Sequence, residues 1–225
     1  MFCSKEFRCI FVHTPKTGGT SIHRTFRQLL PAEETFGPAK IDIGLDPRRF
    51  AWETKQKFAT DQQWNDYFKF AYVRNPWDLV VSIYHNIVQS ARSRNLAEVN
   101  EDKRIVRQQL LKYFERRSRR VSFAGFVDLC IVNDAISSRF SYHWRPQYLH
   151  VTGPDNQPIL DFIGRFENFE ADWKFIERQI GLSVRLPRLN RSTHLHYRDY
   201  YTANLRKAVA RRFEIDVDMF GYRFD

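Results

Sequence analysis

The chain has 225 residues, about one and a half times the ~150-residue expectation for a domain, so a single domain over 1–225 is expected. Hydrophobic residues make up 43% and charged residues 28%, which excludes extended disorder, and 20 Phe, 10 Tyr and 5 Trp supply a substantial core. The formal net charge of +10 favours a polyanionic partner, a phosphate-bearing ligand or an acidic surface, without choosing among them.

Cys3, Cys9 and Cys130 form no C-x-x-C pair, so neither a disulfide framework nor a thiolate zinc site is indicated. The first apolar run, Cys9 to Val12, is too short for a signal-peptide core and far below the ~20 residues that cross a bilayer. No later stretch approaches that length. The expectation is a protein of the cytoplasm with no transmembrane segment, a removed upstream anchor being the alternative arrangement.

Taken in chain order, Cys9-Ile-Phe-Val12 fits a buried strand, and His13-Thr-Pro-Lys-Thr-Gly-Gly-Thr20 is a turn-rich loop. Ile22, Phe26, Leu29 and Leu30 then recur at helical spacing until Pro31. The pattern repeats in outline. Phe68–Val73 reads as a strand and Arg74-Asn-Pro-Trp-Asp78 as its exit turn. Val80, Ile83, Tyr84, Ile87 and Val88 line one face of a following helix. Asn75 suits the N-cap of that helix, Pro76 its first position, and Asp78 its first-turn dipole. Two such units joined by a crossover predict an α/β protein with a central parallel sheet flanked by helices.

Residues 92–120 are basic, and Val106, Leu110, Tyr113 and Phe114 suggest one amphipathic helix there. That stretch is either a solvated helix face or a surface for an acidic polysaccharide. A helix is expected over Ser122–Val132, a strand over Ile159–Ile163, and a helix over Glu170–Ile180 carrying Trp173, Ile176 and Ile180 inward. Pro187–Tyr197 is a basic loop, and Leu205, Val209 and Phe213 mark a last helix.

A glycine pair between a buried strand and a helix N-terminus can cradle an anion. Backbone N–H groups there have no helical partner, and the helix dipole adds partial positive charge. Gly18 and Gly19 permit close backbone approach, Lys16 adds a full charge, and Thr17, Thr20 and Ser21 add hydroxyls. An ordinary strand–helix turn would require less. A nucleoside-triphosphate loop would place Lys after the last glycine, whereas Lys16 precedes both. The second strand also ends in Val73-Arg74-Asn75 rather than in a magnesium-binding carboxylate.

Pro15-Lys-Thr-Gly-Gly-Thr-Ser-Ile22, with Val73-Arg-Asn-Pro-Trp-Asp78 and Ser82-Ile-Tyr84, resembles the sulfotransferase superfamily, in its carbohydrate-type, Golgi and bacterial branch. The likeness continues through His143-Trp-Arg-Pro-Gln147, Gly164-Arg-Phe-Glu-Asn168 and Phe220-Gly-Tyr222. The resemblance implies a P-loop-like three-layer fold and a bacterial, metal-independent enzyme. It also implies transfer of a sulfuryl group from 3′-phosphoadenosine 5′-phosphosulfate (PAPS) to an acceptor hydroxyl, on a carbohydrate that could itself be acidic. Adenosine 3′,5′-bisphosphate is then the product. The implied donor residues are Lys16, Thr17, Gly18, Gly19, Thr20 and Ser21 for the 5′-phosphosulfate. For the 3′-phosphate they are Arg74 and Ser82, with Arg188, Arg191 and Ser192 from the late basic loop. Arg74 also fits on chemical grounds, being an always-charged fork suited to phosphate.

Lys16 is the catalytic lysine implied for the departing bridging oxygen, where fixed donors can act without a metal. The acceptor hydroxyl needs a general base within hydrogen-bond reach. Relatives place a His between the first helix and second strand, but none occurs between His23 and His85 here. Glu53 or His143 is the substitute, against the plainer readings of a solvated helix face and a structural hydrogen bond. His13 is expected to support the loop, and His194 and His196 lack metal-ligand companions. Two other classes compete: a metal-dependent P-loop-type kinase, and a non-catalytic basic nucleic-acid-binding module. The spread of the positive charge disfavours a nucleic-acid partner.

Overall fold

The computed structural model describes residues 2–30, 59–92, 108–109, 112, 122–134, 139–187 and 195–225. Two compact units emerge, one from residues 1–74 with 147–191, the other from 75–146 with 192–225.

The first unit is built on a four-stranded sheet of order β1-β2-β3-β4: β1 is Phe2–Ser4, β2 Cys9–Phe11, β3 Phe68–Val73 and β4 Phe162–Arg165. Strands β2, β3 and β4 run parallel, with Cys9 opposite Phe68 and Phe70 opposite Phe162. The wholly parallel sheet expected from sequence is corrected at one edge, because β1 pairs antiparallel with β2 (Phe2 opposite Phe11). A tight turn joins these two strands, with Arg8 at φ 45°, and antiparallel neighbours need no crossover. Strand β4 lies at Phe162–Arg165 rather than 159–163. Asp161 explains the shift: its side chain accepts from Lys69 N–H (2.7 Å) and pairs with Lys69 Nζ (2.8 Å), so it ends the ladder.

Strand alternation sends Phe2, Cys9, Phe11, Phe70 and Tyr72 to one face, where helices α1 (Gly19–Leu29) and α5 (Phe169–Ile180) cover them. Ile22 and Phe26 of α1 and Trp173, Ile176 and Ile180 of α5 complete this core. Leu29, expected inward, is 41% exposed, and Leu30 in extended backbone is buried in its place. Phe26 is fully buried, stacks on Phe2 at 4.0 Å and meets Trp173 edge-on at 6.4 Å. Ile10, Ala71 and Val73 on the opposite face are also buried, so both faces demand apolar residues. Before β3, helix α2 (Asp61–Asp66) is fixed by a capping box: Thr60 accepts from Gln63 N–H, and Gln63 Oε1 accepts from Thr60 N–H.

The described part of the second unit is helical. Helix α3 spans Pro76–Arg92, and its N-cap is Asn75, whose Oδ1 accepts from Trp77 N–H at 3.0 Å. Val80, Ile83 and Ile87 are buried as the spacing predicts. The helix expected over 122–132 starts as α4 (Phe123–Phe126) and widens into a π-helical stretch, Val127–Val132. Its end is held by Asn133, which donates through N–H and Nδ2 to the Asp128 carbonyl. The last helix resolves into two, α6 (Ala203–Arg212) and α7 (Glu214–Phe220), which meet at Phe213. Phe213 is fully buried and sits at φ −109°, ψ 29°, outside helical geometry, so the corner anchors its own break. Among the described residues no helix is long and apolar enough to cross a membrane.

Phe26→Ala removes a buried ring shared by β1, α1 and α5. Its cost is expected at about 3–5 kcal/mol, read as a fall in the denaturation midpoint with an unchanged m-value.

Candidate active site

The loop after β2 is shaped by backbone geometry before any charge is considered. Val12 N–H still bonds Phe70 carbonyl (2.9 Å), so the chain leaves the sheet only at His13. Lys16 adopts φ 64°, a left-handed conformation that a lysine enters at a cost, and Gly18 caps α1 at φ 82° with no side-chain cap bond. Ser21 N–H donates to Gly18 carbonyl at 2.9 Å and starts the helix. Thr17, expected as a ligand hydroxyl, instead donates to Thr14 carbonyl at 2.7 Å and braces the loop from within. Ser21 is buried and Thr20 exposed at the same helix end.

Both glycines are required by what lies against them. A Cβ at Gly18 would sit 2.8 Å from the Phe169 ring, and one at Gly19 would sit 2.5 Å from the His13 ring. His13 therefore forms the floor of the cradle, stacked on Phe11 at 5.9 Å and beside His23 at 5.2 Å. Burial, with His150 nearby, lowers the His13 pKa from 6.5 to about 3. Burial likewise lowers that of His23, which also feels His13, to about 2. Both rings are neutral at physiological pH and leave the positive charge of the loop to Lys16.

Arg74, at the end of β3, reaches this loop. Its Nη1 donates to Lys16 carbonyl at 3.1 Å, and its guanidinium lies 4.3 Å from the centre of the Phe166 ring. The same Phe166 ring approaches Gly18, at 3.5 Å from the position of a Cβ. The backbone of Arg74 is held on both sides by Gln147: its N–H donates to Oε1 (2.8 Å), and its carbonyl accepts from Nε2 (2.7 Å). One side-chain amide thus replaces the sheet neighbour that β3 loses as it ends, in a site where Gln147 is 1% exposed. Tyr72 adds a further brace, its ring 4.7 Å from Phe169 and its hydroxyl donating to Phe169 carbonyl at 3.4 Å.

Lys16, Thr17, Gly18, Gly19, Thr20, Ser21 and Arg74 therefore come together within one unit. Ser82 is buried on α3 and His143 lies on the 3-10 turn Arg139–Trp144, packed against Tyr142 at 3.9 Å; both belong to the other unit. Glu53, Arg188, Arg191 and Ser192, like His194 and most of the basic 92–120 stretch, lie outside the described residues. Among the described residues no group of three His, Cys, Asp or Glu is arranged to hold a metal ion. Gln147 and Phe166 were not singled out from sequence, although both fall in segments that carry the family resemblance.

The sulfotransferase family model matches residues 1–223. The chain belongs to the sulfotransferase family. This sulfotransferase-family chain is 24% identical, over 99% of its length, to carbohydrate sulfotransferase 10 of Xenopus laevis, spanning 67% of that protein. It is 26% identical, over 96% of its length, to carbohydrate sulfotransferase 14 of Danio rerio, and spans 60% of it. No solved structure matches the chain.

The neutral rings of half-buried His13 and buried His23 set a pH dependence for this sulfotransferase fold. Their folded pKa values lie below the unfolded value, so stability is complete above pH ~6.5 and declines as pH falls through 6 and 5 toward 3. At pH 5 each is expected to cost about 2 kcal/mol relative to pH 7. Urea titrations from pH 7 to pH 4.5 should show this slope, and His23→Phe should make it shallower. An identical slope in the variant would remove His23 from the account.

Proposed function

We propose that this chain moves a sulfuryl group from PAPS to a hydroxyl of a carbohydrate acceptor, with residues 1–225 acting as one sulfotransferase domain. The observation that carries the donor half is the approach of Arg74 to the Lys16–Gly18–Gly19 loop, 3.1 Å from guanidinium to carbonyl. The carbohydrate half rests on the names of the two relatives.

The residues present fit an anionic donor. The loop offers α1's N-terminal amides without a competing side-chain cap, glycines where any Cβ would collide, and one lysine. Arg74 contributes a second cation of fixed direction, because Phe166 and Gln147 hold its head and its backbone. In this reading Lys16, Gly18, Gly19, Thr20 and Ser21 hold the 5′-phosphosulfate end, with Thr17 bracing them, and Arg74 holds the 3′-phosphate. Ser82, Arg191 and Ser192 keep the 3′-phosphate role that the family resemblance implies.

The donor supplies an already activated sulfuryl group, which carries less charge than a phosphoryl group, so the reading needs no metal. Lys16 stabilises negative charge on the leaving bridging oxygen, and the loop amides hold the group in place. Glu53 or His143 takes the proton from the acceptor hydroxyl. Family membership favours this reading over a kinase or a nucleic-acid module.

Calorimetric titration with adenosine 3′,5′-bisphosphate tests the donor site. Wild type should bind with or without magnesium, Arg74→Ala should weaken binding at least tenfold, and Lys16→Ala should lower kcat by about 10²–10³ with a smaller effect on KM. Equal affinity of wild type and Arg74→Ala would reject the assignment.

A further inference from the structure

Gln147 closes the segment His143-Trp-Arg-Pro-Gln147 and opens the 3-10 turn Gln147–His150. That turn is tied down from within. Tyr148 carbonyl accepts from Val151 N–H (3.0 Å), Thr152 N–H (3.0 Å) and Thr152 Oγ1 (2.8 Å). Gln147, Leu149 and His150 are all buried. The Gln147 amide therefore leaves a fixed base, and little of its freedom remains to be lost.

The residue it holds lies just past the sheet, whose β3–β4 ladder ends with Val73 opposite Arg165. Arg74 N–H and Arg74 carbonyl both bond Gln147, at 2.8 and 2.7 Å. A primary amide donates and accepts at the same time through one planar group. Two bonds to one side chain fix the peptide planes on either side of the Arg74 Cα, and with them the direction in which the arginine departs. Its tip is then met by the Phe166 ring, 4.3 Å to the centre, and by Lys16 carbonyl at 3.1 Å.

We infer that Gln147 is a positioning residue that makes the cradle select nucleotides carrying a 3′-phosphate, acting through Arg74. The inference rests on the reading that Arg74 meets the 3′-phosphate. A guanidinium rewards one particular phosphate only where its fork arrives at a set distance and angle. An arginine free to swing spends that gain on its own ordering. The 5′ end depends less on Gln147, because His13 and Phe169 shape the loop at Gly19 and Gly18. Loss of the amide thus costs affinity for the bisphosphate and largely spares that for the 5′-monophosphate.

Calorimetric titration with adenosine 3′,5′-bisphosphate and with adenosine 5′-monophosphate reads this selectivity directly. Wild type should prefer the bisphosphate at least tenfold. Gln147→Met keeps the length and loses both hydrogen bonds. It should lower the preference at least fivefold, with less than a threefold change for the monophosphate.

Gln147→Glu gives a readout that a merely structural role would not move. The ionised carboxylate accepts from Arg74 N–H but sets an oxygen against Arg74 carbonyl, whereas the protonated acid restores both bonds. The charged and titratable groups around it are Arg74, Lys16 whose carbonyl Arg74 bonds, His150 on its own turn, and His13, which feels His150. The preference should be low at pH 8.5 and recover at least threefold by pH 6, as the acid takes up its proton. Wild type measured in parallel corrects for ionisation of the ligand phosphates.

Selectivity equal to wild type in both variants at pH 8.5 would overturn the inference. Equal losses for the two nucleotides would reduce Gln147 to a structural part and overturn it as well. So would a loss in Gln147→Glu that pH leaves unchanged, and this series decides alone if Gln147→Met does not fold. A wild type that binds the two nucleotides equally would instead remove the 3′-phosphate from the reading of Arg74, independently of Gln147.

Discussion

Arg74 is held by three groups at once, and the candidate site depends on that restraint. Gln147 pairs with its backbone N–H and carbonyl, Phe166 supports its guanidinium, and Lys16 carbonyl accepts from its Nη1. A guanidinium in solution samples many rotamers, and much of that freedom is already lost here before a ligand binds. The bond to Lys16 carbonyl also steadies a left-handed lysine, a conformation that persists only when its surroundings enforce it. The cradle and the strand end that faces it are therefore one mechanical object.

Aromatic residues give that object its stiffness. His13 fills the space under Gly19, Phe169 fills the space beside Gly18, and Phe166 serves both Gly18 and Arg74. The glycines are conformational necessities at Gly18, where φ is positive, and steric ones at Gly19, where the His13 ring leaves no room. Burial keeps His13 and His23 uncharged, which leaves Lys16 as the loop's own cation. The consecutive residues Arg74 and Asn75 then serve separate ends, one closing the cradle and the other fixing Arg223 and the start of α3.

Much of this was legible in the sequence, for identifiable reasons. Phe68–Val73 is apolar apart from Lys69, its residues from Lys69 on are buried, and the structure returns the same bounds. Asn75-Pro76 encoded a helix start, and the cap bond is present. The capping box Thr60–Gln63 is a weaker signal, because α2 is only 6 residues long and lacks periodicity. Three-residue β1 offers no pattern at all, and its antiparallel pairing follows from a turn that no residue type announces. The break between α6 and α7 was hidden because Phe213 continues the apolar spacing while its backbone leaves the helix.

In the site, charge and glycine were readable, since lysine, arginine and paired glycines carry their chemistry in their identity. Packing was not. Nothing in Gln147 or Phe166 as residue types says that they hold Arg74 across 73 and 92 positions of chain. Thr17 shows the converse, a hydroxyl of the right type turned inward to Thr14.

Amide hydrogen exchange resolved along Thr17–Ser21, compared between wild type and Arg74→Lys, measures this coupling most directly. Lysine keeps the charge but loses the fork that bonds Lys16 carbonyl and lies on Phe166. Exchange in the loop should quicken at least tenfold while β2 and β3 remain protected. Loop amides that exchange at the same rate in both proteins would contradict the claim that Arg74 holds the cradle in shape.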